Sequence, residues 1–269
     1  MADSSIKIFH WNVNGIRAIL NKKVHDSRSF EEYIVSQSAD IVSLNETKIC
    51  SSSRETHAGV SNLFASYPYQ YHTHADKKGY SGVSVYTRIR PIRQIDTNID
   101  DHEGRIIVLE FHKFILISVY VPNAGAKLVR LAYRTNVWDT KFLQLCQRLR
   151  KLKPLIIAGD LNVAHMDIDI NHPERHKLSA GFTDIERGNF DKLLRTCDLL
   201  DTWRITHIDR IAYTYFDYRT RARQRGAGWR IDYILISAEL QTSITDCKIL
   251  SNIYGSDHVP ITCILKLSH

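Results

Sequence analysis

The sequence predicts an α/β (α+β) protein in which neighbouring strands pair mainly antiparallel. The chain has 269 residues, 43% of them hydrophobic, which suffices for one large core. Residues 155–158, Leu-Ile-Ile-Ala, form a short apolar run after Pro154, which is typical of a strand buried on both faces. Two strand-like runs, 105–111 and 113–121, flank a very short break. They predict a hairpin rather than the long crossover of a doubly wound parallel sheet.

Hydrophobic spacing predicts the other elements in chain order. Alternating or β-rich runs indicate strands at 6–13, 40–44, 213–218, 230–237 and 259–267, and a loop with a strand at 79–87. Helical spacing of apolar residues indicates helices at 29–38, 128–149 and 183–196. The last of these begins with a capping box formed by Thr183 and Glu186. Because no repeat, low-complexity tract or linker interrupts the chain, we expect a single domain over residues 1–269.

Charge and cysteine content restrict the functional class. The net charge of +7 and the pI near 9.1 favour a partner that carries phosphates, although many soluble proteins share this balance. The dispersed cysteines form no CxxC motif and predict buried free thiols in a reducing compartment; they are Cys50, Cys146, Cys197, Cys247 and Cys263. No secretory apolar core and no apolar run of about 18 residues is found. We expect a soluble intracellular protein without membrane contact.

Polar residues fall repeatedly at or just after the ends of predicted strands. In the stretch PLIIAGDLNVAH, Asp160 and Asn162 follow the buried strand and lie two apart, so in extended backbone they point the same way. Taken singly, each such residue has an ordinary explanation as a turn former, a solvated charge or a cap. Taken together, nine residues from six separate segments predict a catalytic cup: Asn14, Glu46, Tyr120, Asn123, Asp160, Asn162, Asp232, Asp257 and His258.

These residue types point to the hydrolysis of a phosphate ester. Carboxylates and amide oxygens are hard donors that suit Mg²⁺, or Mn²⁺, better than zinc. The candidate metal ligands are Glu46, Asn14, Asp257, Asp160 and Asn162. A histidine beside carboxylates suggests general acid–base work or stabilisation of transition-state charge. A metal, a histidine, amide donors and a tyrosine together fit an in-line displacement at phosphorus.

Eight motifs along the chain carry a resemblance to a known family. They are WNVNGIRA (11–18), NETK (45–48), KGYSGV (78–83), YVPNAG (120–125), GDLNVAH (159–165), AGFTDIER (180–187), GWRIDYILIS (228–237) and GSDHVPI (255–261). The chain closely resembles the exonuclease III-type apurinic/apyrimidinic (AP) endonucleases of the endonuclease/exonuclease/phosphatase superfamily. The resemblance implies a four-layer α/β sandwich of two mixed, mostly antiparallel sheets packed face to face and flanked by helices.

The resemblance also implies roles for the residues of the cup. Glu46 would be the principal metal ligand, supported by Asn14 and Asp257. Asp160 would orient or deprotonate the attacking water, and Asn162 would hold that water or the phosphoryl oxygens. His258, oriented by Asp232, would stabilise the charge of the scissile phosphate; alternatively it would be the general base. Tyr120 and Asn123 would contact the phosphate or assist the leaving 3′-oxygen.

A second set of residues is implied for substrate selection. Tyr215, Trp229 and Ile231 would line an apolar pocket for an extruded sugar that lacks its base, although simple core packing is the alternative for Tyr215. Several basic or aromatic residues would contact the DNA backbone: Arg17, Lys48, Lys78, Tyr80, Arg219, Arg221 and Arg223. Arg225 and Arg230 belong to the same arginine cluster, but Arg230 lies inside GWRIDY and is interpreted as structural.

The implied activity is magnesium-dependent cleavage 5′ to abasic sites in double-stranded DNA, with some 3′-phosphodiesterase or 3′–5′ exonuclease activity. The implied protein is a monomer, nuclear in a eukaryote and otherwise cytoplasmic. One alternative is a related phosphatase or phosphodiesterase acting on phosphoinositides or other soluble phosphate esters. Another is a non-catalytic DNA-binding module, which would be expected to lack Glu46, Asp160 or His258. The chain departs from common family residues at Asn14, Asn45, Ala126 and Ser179.

Overall fold

The computed structural model describes residues 4–49, 63–99 and 102–267. In chain order the strands are β1 (Ser4–Asn12), β2 (Lys23–His25), β3 (Arg28–Ser29), β4 (Ile41–Asn45), β5 (Tyr69–Thr73), β6 (Val83–Thr87), β7 (Arg93–Gln94), β8 (Ile106–Glu110), β9 (Ile115–Tyr120), β10 (Leu155–Asp160), β11 (Leu199–Asp201), β12 (Asp232–Ser237), β13 (Ile244–Ile249) and β14 (Ile261–Leu267). The α-helices are α1 (Ile16–Leu20), α2 (Phe30–Ser36), α3 (Asp139–Arg150), α4 (Asp184–Cys197) and α5 (Thr202–Thr206).

Two six-stranded sheets dominate the fold, in the orders β13-β14-β1-β4-β6-β5 and β11-β12-β10-β9-β8-β7. Each sheet has one parallel pair near its centre, β1 with β4 and β9 with β10. The remaining pairs are antiparallel, including the predicted hairpin of β8 and β9. The prediction of mixed, mostly antiparallel sheets is therefore confirmed.

The alternation of side chains along the strands builds the four layers. On β1, Ile6 and Ile8 face the opposite sheet and join the apolar core between the sheets. The alternate residues Phe9 and Trp11 pack beneath α1 and α2 on the outside of the first sheet. The outer face of the second sheet packs against α3 and α4 in the same way. The helices therefore form the two outer layers and the sheets the two inner layers.

The predicted helices are present with shifted boundaries. The capping boxes of α2 and α4 are formed by Ser29 with Glu32 and by Thr183 with Glu186. The helix expected from residue 128 begins later, because Lys127 and Leu128 have positive φ angles. A π-helical turn, Tyr133–Trp138, then leads directly into α3.

The strand expected at 213–218 is wrong. Tyr215 makes only isolated bridges to Trp229 and His258, and the segment is a loop that crosses the end of the sandwich. The aromatic content that favoured a strand serves a different purpose, because Tyr215 and Phe216 pack against neighbouring loops. The four cysteines within the described residues are buried free thiols, as predicted, and Cys50 lies outside them. Among the residues described, no helix combines the length and apolar character that a bilayer crossing needs.

The space between the sheets is apolar over most of its length and polar at one end. There, buried polar side chains end the inward-facing rows of four strands: His10 and Asn12, Ser43 and Asn45, Ser118, and Asp160. Gly159 permits the close approach of β9 and β10, since a Cβ atom there would lie 1.9 Å from the carbonyl oxygen of Val119. Gly159 itself lies within β10, which continues to Asp160. The strand thus delivers Asp160 directly to the polar end.

Candidate active site

The carboxyl ends of β1, β4, β9 and β10 open into a cleft of about 610 Å³. The structure brings nearly all predicted catalytic, metal-binding and pocket residues to its wall: Asn14, Glu46, Tyr120, Asn123, Asp160, Asn162, Tyr215, Trp229, Ile231, Asp257 and His258. Asp232, the remaining member of those sets, is buried behind His258, to which it is hydrogen-bonded. The convergence of these segments in space is what the strand-end pattern predicted.

Three of these residues have left-handed backbone conformations at the points where their strands end. The φ angles are 48° for Asn14, 56° for Glu46 and 49° for Asn162. Such conformations cost roughly 1–3 kcal/mol for most residues, and least for asparagine. Hydrogen bonds between neighbouring segments hold the turn, for example from the amide of Gly15 to the carbonyl of Glu46 at 2.7 Å. The left-handed conformation ends the alternation of the strand at each of these residues, and all three side chains line the cleft.

Asp160 lies at the centre of the polar end and is almost fully buried. Its Oδ2 accepts a hydrogen bond from Asn12 Nδ2 at 2.9 Å, and its Oδ1 accepts one from the amide of Asn162 at 2.9 Å. Burial and the nearby charge of Asp232 raise the pKa of Asp160 to about 7, while His258 and the two hydrogen bonds act in the opposite direction. A carboxyl group poised near neutrality can accept a proton from water.

His258 and Asp232 form a buried pair. The imidazole Nδ1 lies 2.7 Å from Asp232 Oδ2, and Nε2 lies 3.8 Å from Asp160 Oδ2 on the cleft side. Burial disfavours the imidazolium, but the charge of Asp232, its hydrogen bond and the further charges of Asp160 and Asp257 outweigh burial. Together they raise the pKa of His258 to about 10. Burial would also raise the pKa of Asp232, but chiefly the charge of His258 holds it well below its usual range.

Glu46, Asn14 and Asp257 form the oxygen-rich side of the cleft. Asn14 Nδ2 donates to Asp257 Oδ1 at 2.9 Å. The ammonium group of Lys48 lies 3.1 Å from Glu46 Oε1 and donates to Asn14 Oδ1. On this side of the cleft, hard oxygen atoms therefore already surround a positive charge. Such oxygen atoms are the ligands that a divalent cation of the magnesium type prefers. By contrast, Asp160, Asp232 and His258, although their ligand atoms lie within 4.8 Å of one another, are engaged mainly with each other and with protein donors.

Tyr120, Asn123 and Asn162 form the opposite wall. Asn123 Nδ2 donates to Asn162 Oδ1 at 2.8 Å, and Asn162 Nδ2 donates to the carbonyl of Val121 at 2.7 Å. The guanidinium of Arg105 lies 4.7 Å from the centre of the Tyr120 ring. Burial, with the charges of Glu46 and Asp160, raises the pKa of Tyr120 well above its usual value, so its hydroxyl is a proton donor at neutral pH.

An apolar pocket adjoins this polar wall. Tyr215 and Trp229 pack on a buried cluster that contains Ile231, Ile170 and Phe182. The Tyr215 ring also lies 5.0 Å from the His258 ring, centre to centre. Tyr215 and Trp229 are only half-buried and line the cleft. They therefore present an aromatic surface directly beside the histidine.

A sequence profile of the endonuclease/exonuclease/phosphatase family matches residues 9–258. The chain belongs to this family. An exodeoxyribonuclease of Bacillus subtilis is 37% identical over 266 residues, which cover 97% of this chain and 100% of that protein. The DNA repair nuclease APEX1 of Danio rerio is 38% identical over 269 residues, covering 98% of this chain and 83% of that protein. A solved AP endonuclease of Leishmania major has a TM-score of 0.86 and 25% identity, covering 98% of this chain and 88% of that one.

In this family member the predicted DNA-contacting residues lie outside the cleft. Some are exposed to solvent, and others are bound to protein groups. Arg17, Lys78, Arg219 and Arg221 are exposed. Tyr80 accepts hydrogen bonds through its hydroxyl from Arg105 and Arg130, and Lys48 contacts the candidate metal ligands, as described above. Arg223 donates to the carbonyls of Ser251 and Ile253 and stacks 3.8 Å from the ring centre of Tyr254. Its guanidinium is therefore held within a loop.

Sequence reasoning missed several residues that build the site of this family member. Asn12 and Asn45 both hold Asp160, the first through its amide nitrogen and the second by accepting the Asp160 backbone amide at 2.9 Å. His176 lines the pocket side of the cleft. Asn12 carried a usable signal, because it precedes Asn14 by two positions in a strand that ends at the cup. His176 carried none, since its approach to Trp229 depends on the course of a long loop.

Proposed function

We propose that this protein is a DNA-repair AP endonuclease. It hydrolyses the phosphodiester bond 5′ to an abasic site and leaves a 3′-hydroxyl and a 5′-deoxyribose phosphate, with accompanying 3′-phosphodiesterase and some 3′–5′ exonuclease activity. The observation that carries the proposal is that one cleft joins the Asp160, Asn162 and His258 cluster to the aromatic wall of Tyr215 and Trp229. The relatives described as AP endonuclease, DNA repair nuclease and exodeoxyribonuclease support the same substrate class.

Asp160 is the residue best placed to activate water. Its fixed position between Asn12 and Asn162 and its pKa near 7 suit a general base. The Asn162 side chain donates to the carbonyl of Val121 and accepts from Asn123, and these two hydrogen bonds fix its amide group at the cleft wall. In this assignment Asn162 and Asn123 position the water and the phosphoryl oxygens, and Tyr120 donates a proton toward the leaving 3′-oxygen.

His258 acts as a cation rather than as a base in this mechanism. With a pKa near 10, its imidazole is protonated at neutral pH and both of its nitrogens donate. Nδ1 is bound by Asp232, so Nε2 is the nitrogen directed at the cleft. A fixed positive charge there stabilises the negative charge that increases on the phosphoryl oxygens in the transition state.

The donor set fits a divalent cation of the magnesium or manganese type. Glu46 would hold it, with Asn14 and Asp257 in support; the ammonium group of Lys48, which lies among these oxygens, supports this assignment. When bound, such an ion neutralises phosphoryl charge and stabilises the leaving oxygen. Asp160 and Asn162 were also candidate ligands, but we assign them to the water because their oxygen atoms accept from neutral amide groups, whereas those of Glu46 and Asn14 contact the Lys48 cation.

The aromatic pocket accounts for selection of the lesion. A nucleotide without a base loses little stacking energy when it turns out of the duplex, and a small apolar pocket excludes a nucleotide that keeps its base. Tyr215, Trp229 and Ile231 provide such walls beside His258. The exposed arginines of the adjoining loop supply backbone contacts. We propose that residues 1–269 act as one catalytic domain and a monomer, in the compartment that holds the cell's DNA.

The experiment compares nicking of a duplex containing one tetrahydrofuran abasic analogue with release of phosphate from inositol phosphates. The analogue cannot undergo β-elimination, so a nick must be hydrolytic. We expect nicking with Mg²⁺, no nicking with EDTA or with the Asp160→Asn variant, and no phosphate release. Phosphate release without nicking would support the alternative activity on soluble esters. Tight DNA binding by the wild type without cleavage in Mg²⁺ or Mn²⁺ would support a binding module.

A further inference from the structure

His10 is a buried histidine on the far side of Asp232 from the cleft. It lies on β1, fully buried, and faces the opposite sheet as Ile8 does two residues earlier. Its Nε2 lies 3.2 Å from Asp232 Oδ1, and its Nδ1 lies 3.1 Å from Ser43 Oγ. Both ring nitrogens are thus partnered, as a buried polar side chain requires. The roles assigned above do not account for this histidine.

We propose that His10 is a positioning residue of the active site, which holds the Asp232 carboxylate so that its other oxygen is directed at His258. The kinetic part of this inference rests on the proposed function. The structural part does not, because it concerns the hydrogen bond between Asp232 and His258 in the free protein.

The two imidazoles bind opposite oxygens of one carboxylate. Asp232 Oδ1 accepts from His10 and Oδ2 accepts from His258, at 3.2 and 2.7 Å. A carboxylate with one partner can rotate about its Cβ–Cγ bond, whereas a carboxylate with a partner on each oxygen has a single favourable orientation. The plane of the Asp232 carboxylate is therefore set by His10 as well as by His258. The orientation of His258, which faces the cleft, depends on that plane.

The direction of the His10 hydrogen bond follows from the chemistry of its partner. An ionised carboxylate only accepts, so His10 Nε2 must carry hydrogen whether the ring is neutral or cationic. When the ring is neutral, Nδ1 accepts from the Ser43 hydroxyl, and Ser43 Oγ lies 2.7 Å from Ser118 Oγ. Ser43 and Ser118 belong to different sheets and are fully buried. This hydrogen-bonded series fixes the tautomer of His10 and anchors its ring at both ends.

The location of His10 separates positioning from catalysis. It makes no contact with the cleft, whose wall begins at His258 and Asp160. A hydrogen-bonded route from His10 to the cleft passes through Asp232 and His258. A residue that merely filled the core would act instead through the stability of β1. These two possibilities give different results in the variants described next.

The test uses His10→Leu and His10→Gln, with Ile8→Ala as the matched control. Leucine removes the donor, whereas the glutamine amide can donate from near the position of Nε2. Ile8→Ala deletes packing on the same strand and the same face without touching Asp232. Removing a supporting hydrogen bond typically lowers activity about 10- to 100-fold. We expect that loss in kcat on the abasic duplex for His10→Leu, with KM changed less than about twofold. We expect near-normal kcat for His10→Gln and for folded Ile8→Ala.

A double-mutant cycle with Asp232→Ala identifies the route. If His10 acts through Asp232, His10→Leu changes kcat little once Asp232 is absent, and the two losses are not additive. Additive losses would overturn the proposal. So would equal losses of kcat in His10→Leu and Ile8→Ala at matched stability, because that result indicates a purely structural role.

Proton NMR of the free protein provides a readout that does not depend on activity. A short hydrogen bond between His258 Nδ1 and Asp232 protects the Nδ1 proton from exchange and moves its resonance downfield, and His258→Gln identifies the signal. We expect the signal to be lost or exchange-broadened in His10→Leu and retained in His10→Gln and Ile8→Ala. An unchanged signal in His10→Leu would overturn the proposal. If the wild type fails to nick DNA while the signal behaves as expected, the proposed function fails and the positioning role stands.

Discussion

Asn12 Nδ2 donates a hydrogen bond to Asp160 Oδ2 at 2.9 Å across the gap between the two sheets. The bond joins the end of β1 to the end of β10 and occupies one oxygen of the proposed general base. Asn12 is fully buried, and its own Oδ1 accepts from the backbone amide of Asn14 at 3.0 Å. One amide side chain therefore connects the proposed base to the turn that carries a candidate metal ligand.

Replacement of Asn12 by alanine should shift the pH dependence of nicking. The Asn12 hydrogen bond lowers the pKa of Asp160, against the stronger effect of burial. Loss of a hydrogen bond to a charged group costs about 1.5 kcal/mol, or about one pKa unit. Because the ionised form is the active base, the acid limb of the single-turnover rate should move to higher pH by about one unit. The rate below that limb should fall about tenfold.

The control for this variant is Asn21→Ala, which removes an exposed asparagine whose amide donates to the carbonyl of Arg17. It should leave the acid limb in place. An unchanged acid limb in Asn12→Ala would show that Asp160 does not limit the rate as a base.

Lys48 should compete with a divalent cation for the oxygen-rich side of the cleft. Its ammonium group contacts Glu46 and Asn14, the two candidate ligands at the ends of β4 and β1. Lys48→Met removes this charge, which for a partly exposed pair corresponds to roughly 1 kcal/mol. Calorimetric titration with Mn²⁺, without DNA, should therefore show about fivefold tighter binding. As a control, Lys22→Met removes an exposed lysine that donates to the carbonyl of Gly255, and it should not change the affinity. Weaker Mn²⁺ binding by Lys48→Met would contradict this account.

Two arginines of the same loop should behave differently. Arg221 is exposed, and if it contacts a phosphate, Arg221→Gln should reduce the slope of log affinity against log salt by about one. Arg223 holds the carbonyls of Ser251 and Ile253 and stacks on Tyr254, so Arg223→Gln should lower the free energy of unfolding by about 1–3 kcal/mol. It should not change the salt slope. Binding of an abasic duplex in the Asp160→Asn background and urea unfolding provide the two measurements. A reduced salt slope in Arg223→Gln together with a loss of stability in Arg221→Gln would contradict this assignment.

Asp169 should contribute strongly to stability, and its contribution should depend on pH. Arg230 binds both of its carboxylate oxygens, at 2.7 and 2.9 Å, in a fully buried pair. Burial raises the pKa of Asp169, but the charge and hydrogen bonds of Arg230, with hydrogen bonds from the Met166 amide and from Arg204, hold it below its usual value. A depressed folded-state pKa stabilises the protein above the unfolded value of about 4. That stabilisation is lost as pH falls through the folded-state pKa.

Asp169→Asn should therefore lower the free energy of unfolding at neutral pH by roughly 3–5 kcal/mol, since it removes the carboxylate that pairs with both Arg204 and Arg230 and leaves Asp201 to balance the buried charge of Arg230. The variant should also lose part of the acid dependence of the wild type. The control is Asp167→Asn, two residues before Asp169 in the chain, which breaks a more exposed ion pair with Arg187. It should lower the free energy of unfolding by less than about 1 kcal/mol. Urea unfolding at neutral and acidic pH measures both. An equal decrease in the free energy of unfolding for the two variants would show that burial does not strengthen the contribution of Asp169.

The sequence predicted the elements whose signals are local. Hydrophobic runs located β10 and the β8–β9 hairpin, and the capping box located the start of α4. The strand-end polar residues could be predicted because the carboxyl ends of parallel strands meet at one edge, and both parallel pairs, β1–β4 and β9–β10, do so here. Glu46 follows β4 and Asp160 ends β10, so both side chains reach that edge.

Features that depend on distant partners could not be predicted. His10 is one polar residue in an alternating strand, and its partner Asp232 lies 222 residues away. Arg223 could not be distinguished from Arg221, because its attachment depends on where residues 251–253 pass. The aromatic run at 213–218 suggested a strand, but its ring contacts involve loops from other parts of the chain. In each case packing between segments far apart in sequence determined the outcome.

In the proposed reaction, water attacks the phosphorus and displaces the 3′-oxygen on the 5′ side of the lesion. This step is tested most directly by nicking a tetrahydrofuran-containing duplex in ¹⁸O-labelled water under single-turnover conditions, with mass spectrometry of both products. We predict one ¹⁸O atom in the 5′-phosphate attached to the abasic residue, an unlabelled 3′-hydroxyl on the other fragment, and no product with Asp160→Asn. A labelled 3′-phosphate, or cleavage that Asp160→Asn leaves intact, would contradict the account.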